Sequence, residues 1–303
     1  MSPHTLIVIV GPTAIGKTAL SIAIAKVYGC PIISADSRQF FKEMSIGTAK
    51  PSAIERQNVP HYFIDSHSIT DDYNVGKYET EAIALLEKLF QTNKMAILVG
   101  GSGLYIDAIC KGFDELPEAD SETRNKINLL LKTEGIEGLQ KLLKELDINY
   151  YNKVDLQNPQ RISRALEVCL TTGKPYSGFR KGKIKKRNFK IIKIGINISR
   201  ELLYDRINQR VDEMMNNGLL NEVKSLQTYK HLNSLQTVGY KELFVYLENN
   251  SDLKTSVELI KQNTRRFAKR QLTWFQKDKE IKWFEPNQME AIMTYINQSI
   301  STS

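Results

Sequence analysis

The chain is poor in residues that cross-link or ligate. Its 303 residues include three cysteines and four histidines. Cys30, Cys110 and Cys169 stand far apart and are odd in number, which excludes a disulfide framework. No Cys or His pair has the spacing of a zinc site. No apolar run is long enough to cross a bilayer, and there is no internal repeat or low-complexity tract. Met1-Ser2-Pro3-His4 lacks a basic region and runs directly into an apolar segment, so no signal peptide is expected. Unpaired thiols and no membrane span fit a reducing cytoplasm. Acids are also in deficit: 34 Asp and Glu against 42 Lys and Arg leave a formal charge of +8, which mildly favours a polyanionic partner.

What is present begins with Leu6-Ile7-Val8-Ile9-Val10, a continuous apolar run typical of a buried parallel strand. Gly11, Pro12, Thr13, Ala14, Ile15, Gly16, Lys17 and Thr18 follow, and then a helical pattern over 17–28. Strand, glycine-bounded loop and Lys-Thr at a helix start form a phosphate cradle. Backbone N–H groups and the helix's positive end face the anion. Lys17 supplies a point charge, and Thr18 a hydroxyl for a magnesium ion.

Two more strand-to-helix units are expected in the first 110 residues. One strand spans 31–35 and ends at Asp36; another spans 95–99 and ends at Gly100-Gly101-Ser102-Gly103. Helices are expected over 73–90 and from Leu104, with loop over 43–60. Such units predict a doubly wound parallel sheet whose ligands lie beyond the strand carboxyl ends. That places the 11–18 loop, Asp36 and Ser102 at one edge. From about residue 114 the pattern becomes helical without strands, with Asn158-Pro159 as cap and first residue of one helix. A strand returns at 190–196, then helices capped by Ser199, over 219–229 and over about 256–275. The fold class expected is α/β, a P-loop NTPase-like parallel core (1–113 and 188–303) with an inserted helical domain (114–187).

Two basic segments stand out. Arg180 to Arg187 carries six cations and no acid, followed by Lys190 and Lys193. Lys261 to Phe275 places Arg266 and Arg270 on one helical face, and Arg265 and Lys269 on the next. Like charges at that spacing repel, and a phosphate partner removes the penalty. Trp274 and Phe275 read as packing residues rather than base stackers. The phosphate loop alone leaves open an ATP-dependent kinase and a nucleotide-regulated RNA-binding switch.

Seven segments together resemble the bacterial tRNA isopentenyltransferase (tRNA dimethylallyltransferase) family: residues 11–18, Asp36-Ser37-Arg38-Gln39, Gly47-Thr48-Ala49-Lys50-Pro51, Gly100 to Tyr105, Gln160-Arg161 with Arg164 to Glu167, Gln236 to Glu242, and Arg265 to Phe275. The resemblance implies transfer of a dimethylallyl group from its diphosphate to N6 of adenosine 37, beside the anticodon. The loop then holds dimethylallyl diphosphate with Mg2+ at Thr18, and Lys17 offsets the leaving charge. Asp36 is implied as base at the N6 amine. Ser102, where the family usually has Thr, supplies a hydroxyl near the bridging oxygen. Arg210, or Arg206 one turn earlier, meets the diphosphate. Ser37, Arg38 and Gln39 meet the target nucleotide. Gln160, Arg161, Ile162, Ser163, Arg164 and Arg124 meet the anticodon stem-loop. The protein is expected to be a cytoplasmic monomer without the Cys/His extension of eukaryotic relatives.

Overall fold

The computed structural model describes residues 4–114, 116–117, 120–182 and 184–301. The chain divides into two compact units, one of residues 1–111 with 186–303 and one of residues 112–185.

The first unit is built on β1 (Thr5–Val10), β2 (Ile32–Ser34), β3 (His61–Tyr62), β4 (Met95–Gly100), β5 (Lys190–Ile196) and β6 (Lys282–Phe284). All pairings are parallel, in the order β3-β2-β4-β1-β5-β6. Parallel strands need crossover connections, and helices supply them. These are α1 (Lys17–Tyr28), α2 (Ala53–Arg56), α3 (Val75–Leu89) and α4 (Gly103–Cys110) before the second unit. The second unit contributes α5 (Ser121–Leu146), α6 (Ile148–Tyr151) and α7 (Pro159–Thr172). After it come α8 (Arg200–Asn216), α9 (Leu219–Ser225), α10 (Tyr240–Leu247), α11 (Leu253–Phe275) and α12 (Met289–Ser301).

β1 is buried along its whole length and its neighbours β4 and β5 along most of theirs, so both sheet faces are covered. On one face Leu6, Val8, Leu98, Tyr78, Leu86 and Ile109 pack with Phe275. On the other, Ile7, Ile9, Ile97, Ile24, Ile207 and Ala268 pack with Ile292. Alternation along β1 sends successive residues to opposite layers. A third cluster joins Phe41 and Met44 to Val211, Leu219, Tyr240 and Ile260.

The strand order is what assembles the site. β4 lies between β1 and β2, with Val10 opposite Gly100 and Ser34 opposite Val99. Three carboxyl ends therefore finish level, and the loops leaving them share one crevice. The close approach also fixes residue size: a β-carbon on Gly100 would lie 2.4 Å from the carbonyl oxygen of Ala35.

In the second unit, α5 bends at Gly135 (φ 68°) and packs with α7 around Leu139, Leu143, Ile162, Leu166 and Tyr176. Buried Asp147 ties the end of this layer, accepting from Tyr150 N at 3.0 Å, Ser177 N at 2.6 Å and Ser177 Oγ at 2.8 Å.

Candidate active site

The 11–18 loop turns through Ala14 (φ 62°) and Gly16 (φ 96°) before α1 begins at Lys17. The left-handed conformation at Gly16 suits glycine and lets the chain enter the helix with its first N–H groups facing the loop. Lys17 folds back, and its Nζ donates to Pro12 O at 2.7 Å. Burial lowers its pKa from 10.5 to about 7; Arg210 pushes the same way and Asp36 opposes. Arg210 reaches the loop from α8, its Nη1 3.4 Å from Thr13 Oγ1. Burial lowers the Arg210 pKa as well, with Asp36 again opposing. Two half-buried cations thus converge on the loop near Asp36, an arrangement suited to an anionic ligand.

Asp36 follows β2. Its Oδ1 accepts from Arg38 N at 3.0 Å and Gln39 N at 3.4 Å. Oδ2 has no hydrogen-bond donor among the described residues. One oxygen thus holds the turn, and the other is open for chemistry.

Residues 13–18, Asp36, Gln39 and Arg210 line one cavity of about 150 Å³. Gly11, Pro12, Ser37, Arg38, Ser102 and Arg206 are not in its wall. The hydroxyl of Ser102 accepts from Ser37 N at 3.1 Å and donates to Ser37 Oγ at 3.2 Å. The hydroxyl thereby braces the Asp36-Ser37 turn.

Several lining residues carry no signal in the sequence. His61, just past the segment expected to be loop, begins edge strand β3. Its Nδ1 donates to Val59 O at 2.8 Å, so Nε2 is the bare nitrogen, buried without a partner among the described residues. Burial lowers its pKa and favours the neutral ring. Gln271, inside the second basic segment, is a buried strut. Its Oε1 accepts from Thr13 N at 2.9 Å, and its Nε2 donates to Gly101 O at 2.9 Å. It joins the phosphate loop to the end of β4. A β-carbon on Gly101 would lie 2.2 Å from that Nε2, which accounts for glycine there. We expect Gln271→Ala to cost about 2 kcal/mol in urea unfolding, because it leaves both loop groups unsatisfied. A loss below ~0.5 kcal/mol would contradict the strut.

The basic segments divide on inspection. Arg187 is internal: it pairs with Glu79 at 3.0 Å and donates to Ala108 O and Ile109 O at the end of α4. Lys190 donates to Ser299 O, and Lys193 pairs with Asp278 at 2.8 Å and Glu280 at 2.6 Å. Arg180 covers the rings of Tyr150 and Tyr176. Lys181 and Lys186 are exposed, while Lys183 lies outside the described residues. Of the run 180–187, Arg187 is thus tied into the interior, while Arg180, Lys181 and Lys186 stay exposed. On α11, Lys261 pairs with Asp212 at 2.8 Å and Arg265 donates to Asn208 at 2.6 Å. Arg266, Lys269 and Arg270 are exposed, with Arg270 over the ring of Phe267, which lines the cavity. Phe275 is core; Trp274 covers Gly103 and donates to Asp107 at 2.9 Å.

In the second unit, Gln160 and Arg161 are exposed and Ser163 is half-buried. Ile162 is fully buried in the helical core, which corrects its expected RNA contact: apolar packing takes the side chain. Arg164 binds Glu167 and Pro117 O, each at 3.0 Å, and Arg124 lies 3.9 Å from the same Glu167. Glu115, Glu118 and Ala119, in the segment before Arg124, lie outside the described residues.

A parallel sheet with a phosphate cradle, a half-buried Lys-Arg pair and an open carboxylate at its switch point defines a P-loop NTPase-like α/β protein. The family profile of IPP transferase matches residues 39–278, and the chain belongs to that family. It is 50% identical over 300 residues to tRNA dimethylallyltransferase 1 of Bacteroides fragilis, covering 99% of this chain and 100% of that one. The crystal structure of the tRNA isopentenylpyrophosphate transferase of Bacillus halodurans is similar at TM-score 0.73 and 34% identity, covering 99% and 97% of the two chains. A eukaryotic dimethylallyltransferase acting on tRNA is similar at TM-score 0.77 and 26% identity, covering 98% of this chain and 77% of that one.

Proposed function

We propose that this chain transfers the dimethylallyl group of dimethylallyl diphosphate to N6 of adenosine 37 in tRNA, acting as a cytoplasmic monomer. The carrying observation is that the open Oδ2 of Asp36 and the Lys17-Arg210 pair face one cavity. One part takes a proton and the other takes a diphosphate. A single chain carries every group named, so a monomer suffices.

The loop N–H groups and the two cations hold the diphosphate. N6 attacks C1 of the allyl group as the C1–O bond breaks, and the electron pair leaves on diphosphate oxygen. The proton released from N6 passes to Asp36. An exocyclic amine is a weak nucleophile, so orientation and a nearby acceptor matter. The target base must leave its stack, which costs less in a loop than in a duplex. Among the described residues no cluster of three or more His, Cys, Asp or Glu could hold a metal. Mg2+ suits such a site, since it keeps water and substrate phosphate oxygens and takes few protein ligands; Thr18 is the residue that would hold it. When bound it adds charge stabilisation to the departing diphosphate. Exposed Gln160, Arg161, Arg266, Lys269 and Arg270 supply phosphate contacts to the anticodon arm.

The test is a mass measurement on unmodified tRNA. With dimethylallyl diphosphate the RNA should gain one five-carbon group; with ATP alone it should not change. An unchanged RNA mass with the allylic donor, alongside ATP turnover, would replace this reading with a kinase.

A further inference from the structure

Glu222, on α9, is outside the cavity wall, yet it makes a concentrated set of contacts to a loop that forms part of it. Its carboxylate accepts from three successive backbone N–H groups: Ser45 at 2.9 Å, Ile46 at 2.8 Å and Gly47 at 3.0 Å. The hydroxyl of buried Tyr240 donates to it at 2.6 Å. The Tyr240 ring lies against Gly47, where a β-carbon would come within 2.5 Å of it. Charge-assisted bonds of this kind are about twice as strong as neutral ones. The segment 45–47 is therefore anchored from beneath.

The next two residues carry the consequence. The carbonyls of Thr48 and Ala49 accept from Gln39 Nε2 at 3.2 and 3.3 Å. An amide nitrogen has two hydrogens, and this one spends both on the loop. The amide is thereby oriented, and Oε1 is its remaining polar end; among the described residues only a long 3.4 Å bond from Ser34 Oγ reaches it. Gln39 lines the cavity beside Asp36, and its backbone N–H bonds the Asp36 carboxylate.

We propose that Glu222 is a positioning residue that, through loop 45–49, fixes Gln39 as a second hydrogen-bond acceptor for the target base. The cavity then offers two acceptors, Asp36 and Gln39. An exocyclic amine has two hydrogens to give them. A 6-oxo purine would set an oxygen against these two acceptors, so the arrangement favours amino over oxo bases. This rests on the proposed adenosine substrate.

A double-mutant cycle tests it, with Gln39→Leu, Glu222→Gln and the pair. Readouts are single-turnover rate, KM for dimethylallyl diphosphate, and relative affinity for stem-loops bearing adenosine or inosine at the target position. Glu222→Gln should lower the rate by about 10–100-fold, the scale of a small misplacement, with KM for the donor unchanged. It should shrink the adenosine preference, and it should cost little more once Gln39 is Leu. Tyr240→Phe, which removes one donor and keeps the three N–H bonds, should couple to Gln39→Leu in the same sense at smaller size; it serves if Glu222→Gln does not fold. Additive rate losses, or an adenosine preference that survives, would overturn the positioning role. Absence of transfer by the unmutated chain would instead remove the substrate assignment beneath it.

Discussion

Asp36→Asn should lower the transfer rate by about 10²–10⁴-fold while leaving tRNA affinity nearly unchanged. The substitution is close to isosteric. Asparagine Oδ1 can still accept from the N–H groups of Arg38 and Gln39, so the turn survives. What changes is the open position, where an amide donor replaces the free Oδ2. The N6 proton then has no carboxylate base to take it, and the new donor opposes the amine. Rate should be read in single turnover and affinity by filter binding or fluorescence. Equal losses in both would move Asp36 from chemistry to binding.

Lys17→Ala should cost about 10²–10³-fold in rate, as removal of a preorganised donor to developing negative charge does. Its effect also has a pH signature. In the free protein Lys17 is half-charged near pH 7, lowered chiefly by burial and then by Arg210. A bound diphosphate favours the charged form, so binding above pH 7 takes a proton from solution. Donor affinity should therefore fall as pH rises from 7 to 9, by up to about tenfold per unit. Calorimetry in two buffers of different ionisation heat reads the proton directly. Lys17→Ala should abolish that uptake; uptake of the same size in the variant would assign it elsewhere.

The parts of this protein legible in the sequence are those whose chemistry leaves a local pattern. The phosphate loop shows because strand, glycines, Lys17 and helix start are contiguous. Helix α1 begins and ends at the expected residues, Lys17 and Tyr28, because a glycine caps each end. Asp36 shows because it closely follows a strand, with only Ala35 between it and the end of β2. Strands β3 and β6, with two and three residues, are too short for any periodicity to register, and α2 hides inside a segment read as loop. The helix expected over 219–229 stops at Ser225, with a short 3-10 turn over 227–229.

Other residues were illegible for a different reason: their partners are remote in sequence. Gln271 reads as filler among cations, yet its partner Thr13 lies 258 positions away. Arg187 reads as part of a solvent-facing run because a cation has the same letter inside or out; only Glu79 and the α4 carbonyls show which it is. Arg206 and Arg210 share a helix face, and only the tertiary fold puts Arg210 alone in the cavity wall.

The strut at Gln271 also bears on synthesis. The phosphate loop, Asp36 and β4 are all made well before α11, and the parallel pairing of β1, β2 and β4 does not involve that helix. The amide that ties Thr13 to Gly101 arrives only with α11. A nascent chain that stops short of Gln271 therefore holds a cradle with its two walls unjoined. A phosphate cradle begun in the first strand-to-helix unit is thus finished by a residue 258 positions further along the chain.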